Sequence, residues 1–490
     1  MRFLLIVSLF FISISLYGQQ RDAPLRIELE LAKDAEDYHS AEIGERGVLV
    51  FYEGNMVGQD STSWIFMHYD TNLRRTETFA VTMTAGIQYM ISCKSHGHLY
   101  LFYQDQYQRK SIQQSYVLDI DLEDNSRTFH VIPGLTDTYI HFMEAAGKHL
   151  IFISYYKEKH SLYIYDLAQR QITVPELTTE NIVAVEFCEI DTFRRKILWG
   201  IVSGTSKANA LRFIETDYAG SLQNSIPFPA YSGYYYSSAR LSVTDSVSSI
   251  ILGTFVSEED RNKNNLHTGV YTLPVKNGIL GDPDFFKYSQ IKNKDSISDK
   301  KYKDRGANLQ VLVSDIFCHQ GQYSLVSEIF YPEYSYNYGS SLDPYYYGYH
   351  SMPASSTFVG YRYINAYITT FDKEGHLVWD YYLPFTNILT QRLVQRVSIF
   401  GFHDNTVIYY PYNVSLTYTL IDGYTIIEPL TTIKMESKDR RDVVEYSRKP
   451  KFENWYGNYF LASGYQNIKN SSRSQKSKRY VFFLNKLEFR

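Results

Sequence analysis

The sequence predicts an all-β fold built from repeated antiparallel sheets, and three observations support this prediction. Helical periodicity is nearly absent, whereas short alternating or wholly apolar runs bounded by Gly, Asn, Asp or Ser dominate the 490 residues. Aromatic residues, which favour strands, make up 16% of the chain and include 46 tyrosines. Two strand-like features also recur together, at a spacing of about 50 residues.

The first recurring feature is an apolar strand that often follows a Gly, Lys or Asn turn. Its copies begin at Gly47, Gly97, Gly147, Arg195, Ser248, Gly321, Asn405 and Gly457. The second feature is a strand that usually ends in an aspartate, and it follows each copy of the first. Its copies end at Asp70, Asp121, Asp166, Asp217, Asp372 and Asp422, and weaker copies without the aspartate begin at Val270 and Val481. The aspartate predicts a turn, because its carboxylate can accept a hydrogen bond from the backbone two residues further on.

Each repeat is therefore predicted to be a four-stranded antiparallel sheet. One such sheet cannot bury both of its faces alone, and radial stacking of several sheets buries them. The predicted fold is a β-propeller of four-stranded antiparallel blades over residues 19–490. The eight strand pairs predict eight blades, with seven as the alternative, and two or three separate β-sandwiches are a third interpretation. We expect residues 25–32 to supply the outer strand of the last blade.

The N-terminus has the features of a secretory signal peptide over residues 1–18. Arg2 is followed by an apolar run from Phe3 to Leu16 and by a small residue, Gly18, after which we predict cleavage. An uncleaved anchor is the alternative. No cysteine near the cleavage point could carry a lipid, and no later apolar stretch approaches the length of a membrane-spanning helix. We therefore expect a periplasmic or extracellular protein without a transmembrane segment after cleavage.

Charge and cysteine content exclude two classes of protein. The formal net charge of −4 gives no electrostatic basis for binding nucleic acid. The three cysteines, Cys93, Cys188 and Cys318, are too few and too far apart for a disulfide framework. The apolar core must therefore hold the fold by itself. Composition leaves the oligomeric state undetermined.

Two insertions interrupt the repeat. Residues 286–308 are polar and rich in lysine, which is typical of a solvated connection. Residues 331–360 separate the paired strands of the sixth unit and hold a dense group of tyrosines. Long loops without structure of their own are usually functional or disordered, and tyrosine rings suit contact with sugars or a protein partner. The candidate partner-binding residues are Tyr334, Tyr336, Tyr338, Tyr345, Tyr346, Tyr347 and Tyr349.

The alternative for this segment is a loop that folds onto its own blade. A smaller cluster of the same kind, Tyr231 and Tyr234 to Tyr236, lies between the fourth and fifth units.

Motifs for catalysis are absent from the sequence. The chain contains no G-x-S-x-G, H-E-x-x-H, P-loop or G-x-G-x-x-G pattern. We therefore predict no catalytic residue and no cofactor, and we favour a protein without enzymatic activity. Carboxylate pairs for glycoside cleavage cannot be judged from sequence, because only their separation in space would identify them.

Two segments have the residue types of a metal site without the full pattern. Cys93, His96 and His98 have suitable ligand chemistry, but no second ligand pair is visible. The loop from Asp119 to Asp124 lacks the glycine and the glutamate of a calcium loop. We interpret both as turns and predict no metal.

Residues 309–390 are the most recognisable part of the chain. They contain LQVLVSDIF, then GQYSLVSEIFYPEY, and after the loop GYRYINAYITTFDKEGHLVWDYYLPFTNILT. This segment resembles a set of exported proteins of Bacteroidetes-type bacteria, and the end of the signal peptide, SLYGQQ, is similar to theirs. The resemblance implies export, but it gives no indication of which activity the protein has. No C-terminal sorting domain of the kind common in that phylum is visible, which favours the periplasm or the inner surface of the outer membrane over release.

Two functions are compatible with these features. The first is a non-enzymatic binding or scaffold propeller whose partner is an envelope protein or glycan. The second is a carbohydrate-binding or carbohydrate-cleaving propeller. A glycan site requires aromatic residues around a concave mouth with convergent carboxylates, whereas a scaffold requires a flat aromatic patch and no acidic cluster with perturbed pKa values. We favour the first function, because catalytic motifs are absent and the tyrosine-rich segment offers a contact surface.

Overall fold

Eight separate antiparallel sheets account for nearly all of the regular structure. The computed structural model describes residues 25–32, 38–105, 115–135, 139–156, 159–177, 182–205, 208–262, 268–290, 309–337, 355–412, 415–439, 441–471 and 478–488. Each sheet has four strand positions, and the strands follow one another in chain order in every sheet except the one that contains both β1 (Leu25–Leu31) and β34 (Lys478–Glu488). The sheets are the blades of a β-propeller, so the predicted fold class and the predicted eight blades are confirmed, and the interpretation as separate sandwiches is wrong. The predicted signal peptide lies outside the described residues.

Strand β1 (Leu25–Leu31) belongs to the last blade. Blade 1 contains β2 (Tyr38–Glu42), β3 (Val48–Met56), β4 (Ser61–Tyr69) and β5 (Arg75–Thr84). Blade 2 contains β6 (Ile87–Ser95), β7 (His98–Asp105), β8 (Ser115–Asp121) and β9 (Arg127–Ile132). Blade 3 contains β10 (Tyr139–Ala146), β11 (His149–Tyr156), β12 (Lys159–Asp166) and β13 (Gln171–Thr173). Blade 4 contains β14 (Ile182–Asp191), β15 (Lys196–Thr205), β16 (Ala208–Asp217) and β17 (Leu222–Pro227).

Blades 5 and 6 each divide one strand position between two short strands. Blade 5 contains β18 (Tyr234–Val243), β19 (Ser248–Ser257) and β20 (Gly269–Lys276), with β21 (Ile279–Leu280) and β22 (Asp284–Lys287) sharing the fourth position. In blade 6, β23 (Gln310–Val313) and β24 (Phe317–His319) share the first position, followed by β25 (Gln322–Asn337), β26 (Ser355–Phe371) and β27 (Leu377–Thr390).

Blades 7 and 8 complete the series. Blade 7 contains β28 (Ser398–Phe402), β29 (Asn405–Tyr412), β30 (Ser415–Asp422) and β31 (Thr425–Lys434). Blade 8 contains β32 (Val443–Tyr456), β33 (Tyr459–Lys469) and β34 (Lys478–Glu488), with β1 at its fourth position. The described helices are α1 (Glu258–Asn262) and two short 3-10 helices, Gly44–Arg46 and Tyr288–Gln290. None of the helices in the described part of the chain combines the length and apolar character needed to cross a membrane.

The two recurring sequence features are the second and third strands of the blades. All copies of the first feature form second strands, and all copies of the second feature form third strands. In β19 every residue between the two end serines is buried, because neighbouring blades cover both faces of the sheet. The predicted turn is confirmed at Asp70, which accepts a hydrogen bond from the N–H of Asn72 at 2.8 Å, and at Asp372, which accepts one from the N–H of Glu374 at 3.0 Å. At Asp422 no described residue donates such a bond to the carboxylate.

The strand predicted from residues 25–32 is found where the sequence places it. Strand β1 pairs antiparallel with β34 along its whole length, from Leu25 opposite Lys486 to Leu31 opposite Tyr480. The last blade therefore combines strands from both ends of the described chain.

The chain divides into two compact units. The first consists of Met1–Ala85 and Lys434–Arg490, and the second of Gly86–Ile433. In the first unit, blades 1 and 8 share an apolar cluster that includes Val50, Trp455 and Phe482. In the second unit, an apolar cluster fills each interface between consecutive blades from 2 to 7. Burial of apolar surface between blades is therefore the main force that holds each unit together.

Candidate functional site

Blade 6 carries a hairpin that is much longer than its counterparts. Strands β25 and β26 contain 16 and 17 residues, whereas the second strands of the other blades contain 8 to 11. The pairing continues from Tyr331 opposite Arg362 to Asn337 opposite Ser355. Residues 331–337 and 355–360, which the sequence predicts as part of an insertion, are thus the ends of two paired strands. The extra residues extend the hairpin by about 16 Å, at about 3.3 Å per residue.

An aromatic ladder runs along this hairpin from the core to its exposed end. Ring centroids are 5.9 Å apart between Tyr363 and Phe330, 5.8 Å between Phe330 and Tyr361, and 5.1 Å between Tyr361 and Phe358. Phe358 contacts Tyr334 at 5.6 Å, edge to face. Tyr363 and Phe330 are buried, whereas Tyr334 and Phe358 are 46% and 42% exposed. The exposed pair therefore rests on a chain of ring contacts anchored in the core, which fixes its position.

The base of the ladder is held by polar contacts. Arg362 Nε donates to Glu333 Oε2 at 2.5 Å, across the hairpin. The Tyr363 hydroxyl donates to the carbonyl of Val394 at 2.5 Å and accepts from its N–H at 3.0 Å. The segment after β27 is thereby fixed against the hairpin. Further exposed apolar residues lie on these elements: Val359, Leu389, Leu393 and Val394.

Of the seven tyrosines predicted as partner-binding residues, only Tyr334 has a described side chain. Tyr336 lies in β25, and the other five lie outside the described residues: Tyr338, Tyr345, Tyr346, Tyr347 and Tyr349. Sequence reasoning missed Phe358, which stands opposite Tyr334 in the hairpin. The close spacing of Phe358, Tyr361 and Tyr363 was the signal that could have identified it, since it favours a single strand for these aromatic residues.

The smaller tyrosine cluster folds mainly onto its own blade. Phe285 is the centre of this cluster, with ring centroids 4.7 Å from Tyr234, 5.4 Å from Tyr231 and 6.3 Å from Tyr236. Tyr235 instead lies under the guanidinium of Arg261, at 4.5 Å. These contacts account for the aromatic residues here without a ligand.

The first strands of blades 3 and 4 each carry a glutamate, and the two side chains are close enough to interact. Glu144 of β10 and Glu189 of β14 interact with each other, and Glu189 also interacts with Asp315. Burial, and to a smaller extent the charges of Glu144 and Asp315, together raise the pKa of Glu189 to about 7. Burial likewise raises the pKa of Glu144, although the N–H of Ala145 opposes the shift. The group therefore holds a carboxyl that can exchange a proton near neutral pH.

Arg240 offsets part of this negative charge. Arg240 Nη1 lies 3.6 Å from Glu186 Oε2, and Arg240 Nε lies 3.3 Å from Asp315 Oδ1. Arg240 Nη1 also donates to the carbonyl of Glu186 at 2.6 Å. Burial raises the pKa of Glu186, whereas the charge of Arg240 lowers it. An acidic cluster with perturbed pKa values is the feature that separates a glycan site from a simple scaffold.

The acidic residues of this cluster were missed at the sequence level. Glu144 and Glu189 come from different blades, and each stands two residues before the end of the first strand of its blade. The equivalent positions of Glu144 and Glu189 in two repeats were the sequence signal that could have identified this cluster. It could be read only after the first strands had been located.

The two metal-like segments are turns. His96 and Gly97 both have positive φ, of 48° and 82°, and form the two-residue connection between β6 and β7. Cys93 is buried in the cluster between blades 2 and 3, whereas His98 Nδ1 lies 2.8 Å from Asp119 Oδ1. Asp121 accepts from the N–H of Glu123 at 2.7 Å, which closes the next turn. Within the described ranges no three His, Cys, Asp or Glu side chains group as metal ligands.

Comparison with known proteins gives similarity at the level of fold. No family model matches the chain, and no curated protein matches it. The solved structure of polysaccharide lyase Uly1 is 10% identical, covers 94% of this chain and 100% of that chain, and has a TM-score of 0.44. The β-propeller domain of the Trilobed protease from Pyrococcus furiosus is 9% identical over 82% of this chain and 95% of that one, with a TM-score of 0.38. A puromycin-hydrolyzing peptidase of Mycobacterium tuberculosis is 9% identical over 84% of this chain and 58% of that chain, with a TM-score of 0.39.

Proposed function

We propose that this protein is an exported, non-enzymatic binding propeller and that the blade 6 hairpin is its partner-binding element. The observation that carries the proposal is the exposed Tyr334–Phe358 pair at the end of the ladder. Exposed aromatic rings that are already fixed lose little conformational entropy when a partner covers them, so they bind efficiently. Two such rings beside several exposed aliphatic residues form an apolar patch of the kind found at interaction sites.

A protein of the cell envelope is the partner that this surface suits best. Its exposed centre is aromatic and aliphatic, and the Glu333–Arg362 pair lies beside it. Protein interfaces commonly combine an aromatic centre with a polar rim. A glycan is the second kind of partner, since tyrosine rings also stack on sugars.

Site-specific crosslinking tests the proposal. A photoreactive phenylalanine analogue replaces Tyr334 in one variant and Ile426, which is 50% exposed on β31, in a matched control. Both proteins are irradiated in the envelope fraction of the producing cell. We expect a discrete crosslinked partner at position 334 and none at 426, and excess unlabelled wild-type protein should abolish the crosslink.

Alanine variants supply the quantitative test. Tyr334→Ala with Phe358→Ala should weaken binding of the crosslinked partner by about 2 kcal/mol or more, as expected for central aromatic contacts. Ile426→Ala with Ile427→Ala should leave the affinity unchanged. Equal affinity of both double variants would show that the hairpin is not the binding element.

A carbohydrate-binding or carbohydrate-cleaving propeller is the second candidate, and the cluster of Glu144, Glu189 and Asp315 favours it. A carboxyl with a pKa of about 7 can serve as a general acid at neutral pH, as glycoside cleavage requires. Release of reducing ends from a panel of polysaccharides tests this function. Activity that is lost in Glu189→Gln and retained in the exposed control Glu374→Gln would support cleavage, and absence of activity in the wild type excludes it for that panel.

Export itself is tested by locating the protein in the producing cell. We expect the chain in the periplasmic or extracellular fraction, with Gln19 as its first residue by mass spectrometry. A cytoplasmic protein that retains Met1 would contradict the proposal.

A further inference from the structure

A cavity of about 260 Å³ lies between blades 6 and 7, at the opposite end of β25 from the long hairpin. Turns of both blades form its walls. His319 ends β24 and Gln320 follows it in the turn to β25, whereas Asp404 lies in the turn between β28 and β29. Asp422 ends β30, and Tyr424 lies in the turn that follows. None of these residues takes part in the hairpin surface.

Hydrogen bonds between the two blades preform the cavity. His319 Nε2 donates to the carbonyl of His403 at 3.0 Å. Gln320 Nε2 donates to the same carbonyl at 3.2 Å and to Asp404 Oδ1 at 2.8 Å. The walls are therefore held in place before any ligand binds, which lowers the entropy cost of binding.

The Gln322 amide presents its donor end to a ligand. The indole N–H of Trp379 donates to Gln322 Oε1 at 3.1 Å, which assigns the oxygen to the wall. Among the described residues, none accepts a hydrogen bond from the Gln322 NH₂ group. Both side chains line the cavity. The NH₂ group is therefore available to donate to a bound molecule.

Asp422 supplies a carboxylate to the same cavity. Aspartates at this position in other blades close their own turns, as Asp372 does by accepting the N–H groups of Glu374 and His376. Gly423 and Tyr424 alone connect β30 to β31, and Gly423 adopts a φ of 53°. The Asp422 carboxylate accepts no hydrogen bond from the part of the chain that the structure describes. Its carboxylate oxygens are therefore available to a ligand.

The chemistry of the walls selects the class of ligand. The lining contains the carboxylates of Asp404 and Asp422 and no lysine or arginine, which disfavours anions. A cavity that offers both a donor and a carboxylate suits a hydroxyl group, because a hydroxyl both donates and accepts. A cation could satisfy Asp422 but has no lone pair for the Gln322 NH₂ group. The rings of Trp379 and Tyr424 add apolar wall, against which the C–H face of a sugar can pack.

We propose that this cavity binds a single neutral sugar residue. Its volume of about 260 Å³ lies just below the range of about 300 to 1,000 Å³ for typical small-molecule pockets, which fits one sugar unit. The site is separate from the hairpin, so loss of partner binding at Tyr334 leaves sugar binding unaffected.

Ligand titration of the full mature chain tests the site. Glucose, galactose, mannose and N-acetylglucosamine are titrated by calorimetry and by saturation-transfer NMR, with glucuronate as the anionic control and choline as the cationic control. We expect at least one neutral sugar to bind and both controls to fail. Asp422→Asn and Gln322→Leu should each weaken that sugar about tenfold or more, as expected for loss of a hydrogen bond to a buried or charged group.

A matched variant separates the site from a general effect on the fold. Asp166→Asn changes the equivalent aspartate of blade 3 and should leave sugar affinity unchanged. The proposal is overturned if no neutral sugar binds, if choline binds and sugars do not, or if a bound sugar is insensitive to both Asp422→Asn and Gln322→Leu. Should one of these two variants fail to fold by circular dichroism, the other decides.

Discussion

Arg479 and Glu28, 451 residues apart in the chain, form an ion pair at 2.9 Å that joins β34 to β1, which are adjacent strands of blade 8. Arg479 also donates to Asp442 at 2.6 Å, and the N–H of Lys438 donates to Glu28 at 2.9 Å. Burial alone would raise the pKa of Glu28, but these donors and the charge of Arg26 lower it overall. The ionised carboxylate of Glu28 therefore contributes to the ionic contacts that hold β1 on β34.

Removal of the Arg479 guanidinium should weaken the attachment of β1 to β34. Arg479→Met removes the cation that Glu28 and Asp442 share, and loss of one partner from a buried ion pair costs about 3 kcal/mol in similar cases. We expect a lower urea midpoint and faster hydrogen exchange in β1. Arg441→Met removes an arginine whose side chain is 77% exposed and should change neither measurement. Equal exchange rates in β1 for both variants would contradict this role of Arg479.

The strands that the sequence predicts well are those buried on both faces. Second strands such as β19 read as continuous apolar runs because neighbouring blades cover them, and the aspartate turns mark the ends of third strands. Fourth strands such as β31 are largely exposed, so their apolar signal is weaker. Strand β31, for example, exposes Ile426 and Ile427. Pairing of β1 with β34 was predicted only from its position before the first repeat.

The candidate sites were predicted less completely, because the fold assembles them from distant segments. The tyrosine density pointed to the blade 6 hairpin, and Tyr334 is exposed there. The cavity was not predicted, since no sequence pattern links His319 at the end of β24, Asp404 in a turn and Asp422 at the end of β30. Residues at turns are usually interpreted as structural. Their position in space is needed to show that Asp422 lines a cavity and that no described residue donates a hydrogen bond to its carboxylate.

Glu328 should make stability depend on pH. Burial raises its pKa to about 8, although the N–H groups of Val397 and Arg396 donate to its Oε1 and lower it. Between its ordinary value of 4.5 and about 8, the folded chain keeps a proton that the unfolded chain releases. Stability therefore falls as pH rises through this window, by up to about 1.4 kcal/mol per pH unit from this group.

Glu328→Gln isolates this contribution. The amide keeps an oxygen for Val397 and Arg396 but cannot ionise, so the slope of stability against pH should flatten and the variant should exceed the wild type above pH 8. Urea denaturation at several pH values measures it. Glu374→Gln, on an exposed turn, should keep the wild-type slope. A residual slope is expected from Glu189, whose pKa is raised to about 7 by burial and by neighbouring carboxylates.

His39 should act in the opposite direction, at acidic pH. Its ring stacks on Phe51 at 5.4 Å and on Trp64 at 6.2 Å. Burial, and then the charge of Lys449, lower its pKa from 6.5 to about 4. The unfolded chain therefore binds a proton that the folded chain rejects, and stability falls as pH drops from 6.5 toward 4. His39→Phe keeps the stacking and should remove this loss, whereas His376→Asn on an exposed turn should not.

Gly401 is required by close approach of His319. A Cβ at position 401 would lie 2.1 Å from His319 Nδ1, so Gly401→Ala must displace the ring that forms one wall of the cavity. We expect a destabilisation of about 1–3 kcal/mol, as for other overpacked sites, together with weaker sugar binding. The double variant Gly401→Ala, His319→Ala should recover most of the stability. A fully stable single variant would contradict the steric reason.

The three thiols should differ sharply in reactivity. All three are free: Cys318 is exposed, Cys188 is only partly exposed and Cys93 is buried. Burial raises the pKa of Cys93 and of Cys188, and carboxylates near each raise it further, Glu144 near Cys93 and Glu189 near Cys188. The thiolate is the reactive form, so a disulfide reagent should modify one thiol in the folded chain and three in urea. Cys318→Ser should abolish the reaction of the folded protein, and rapid modification of a second thiol would show that β6 or β14 opens more readily than the burial of Cys93 and Cys188 implies.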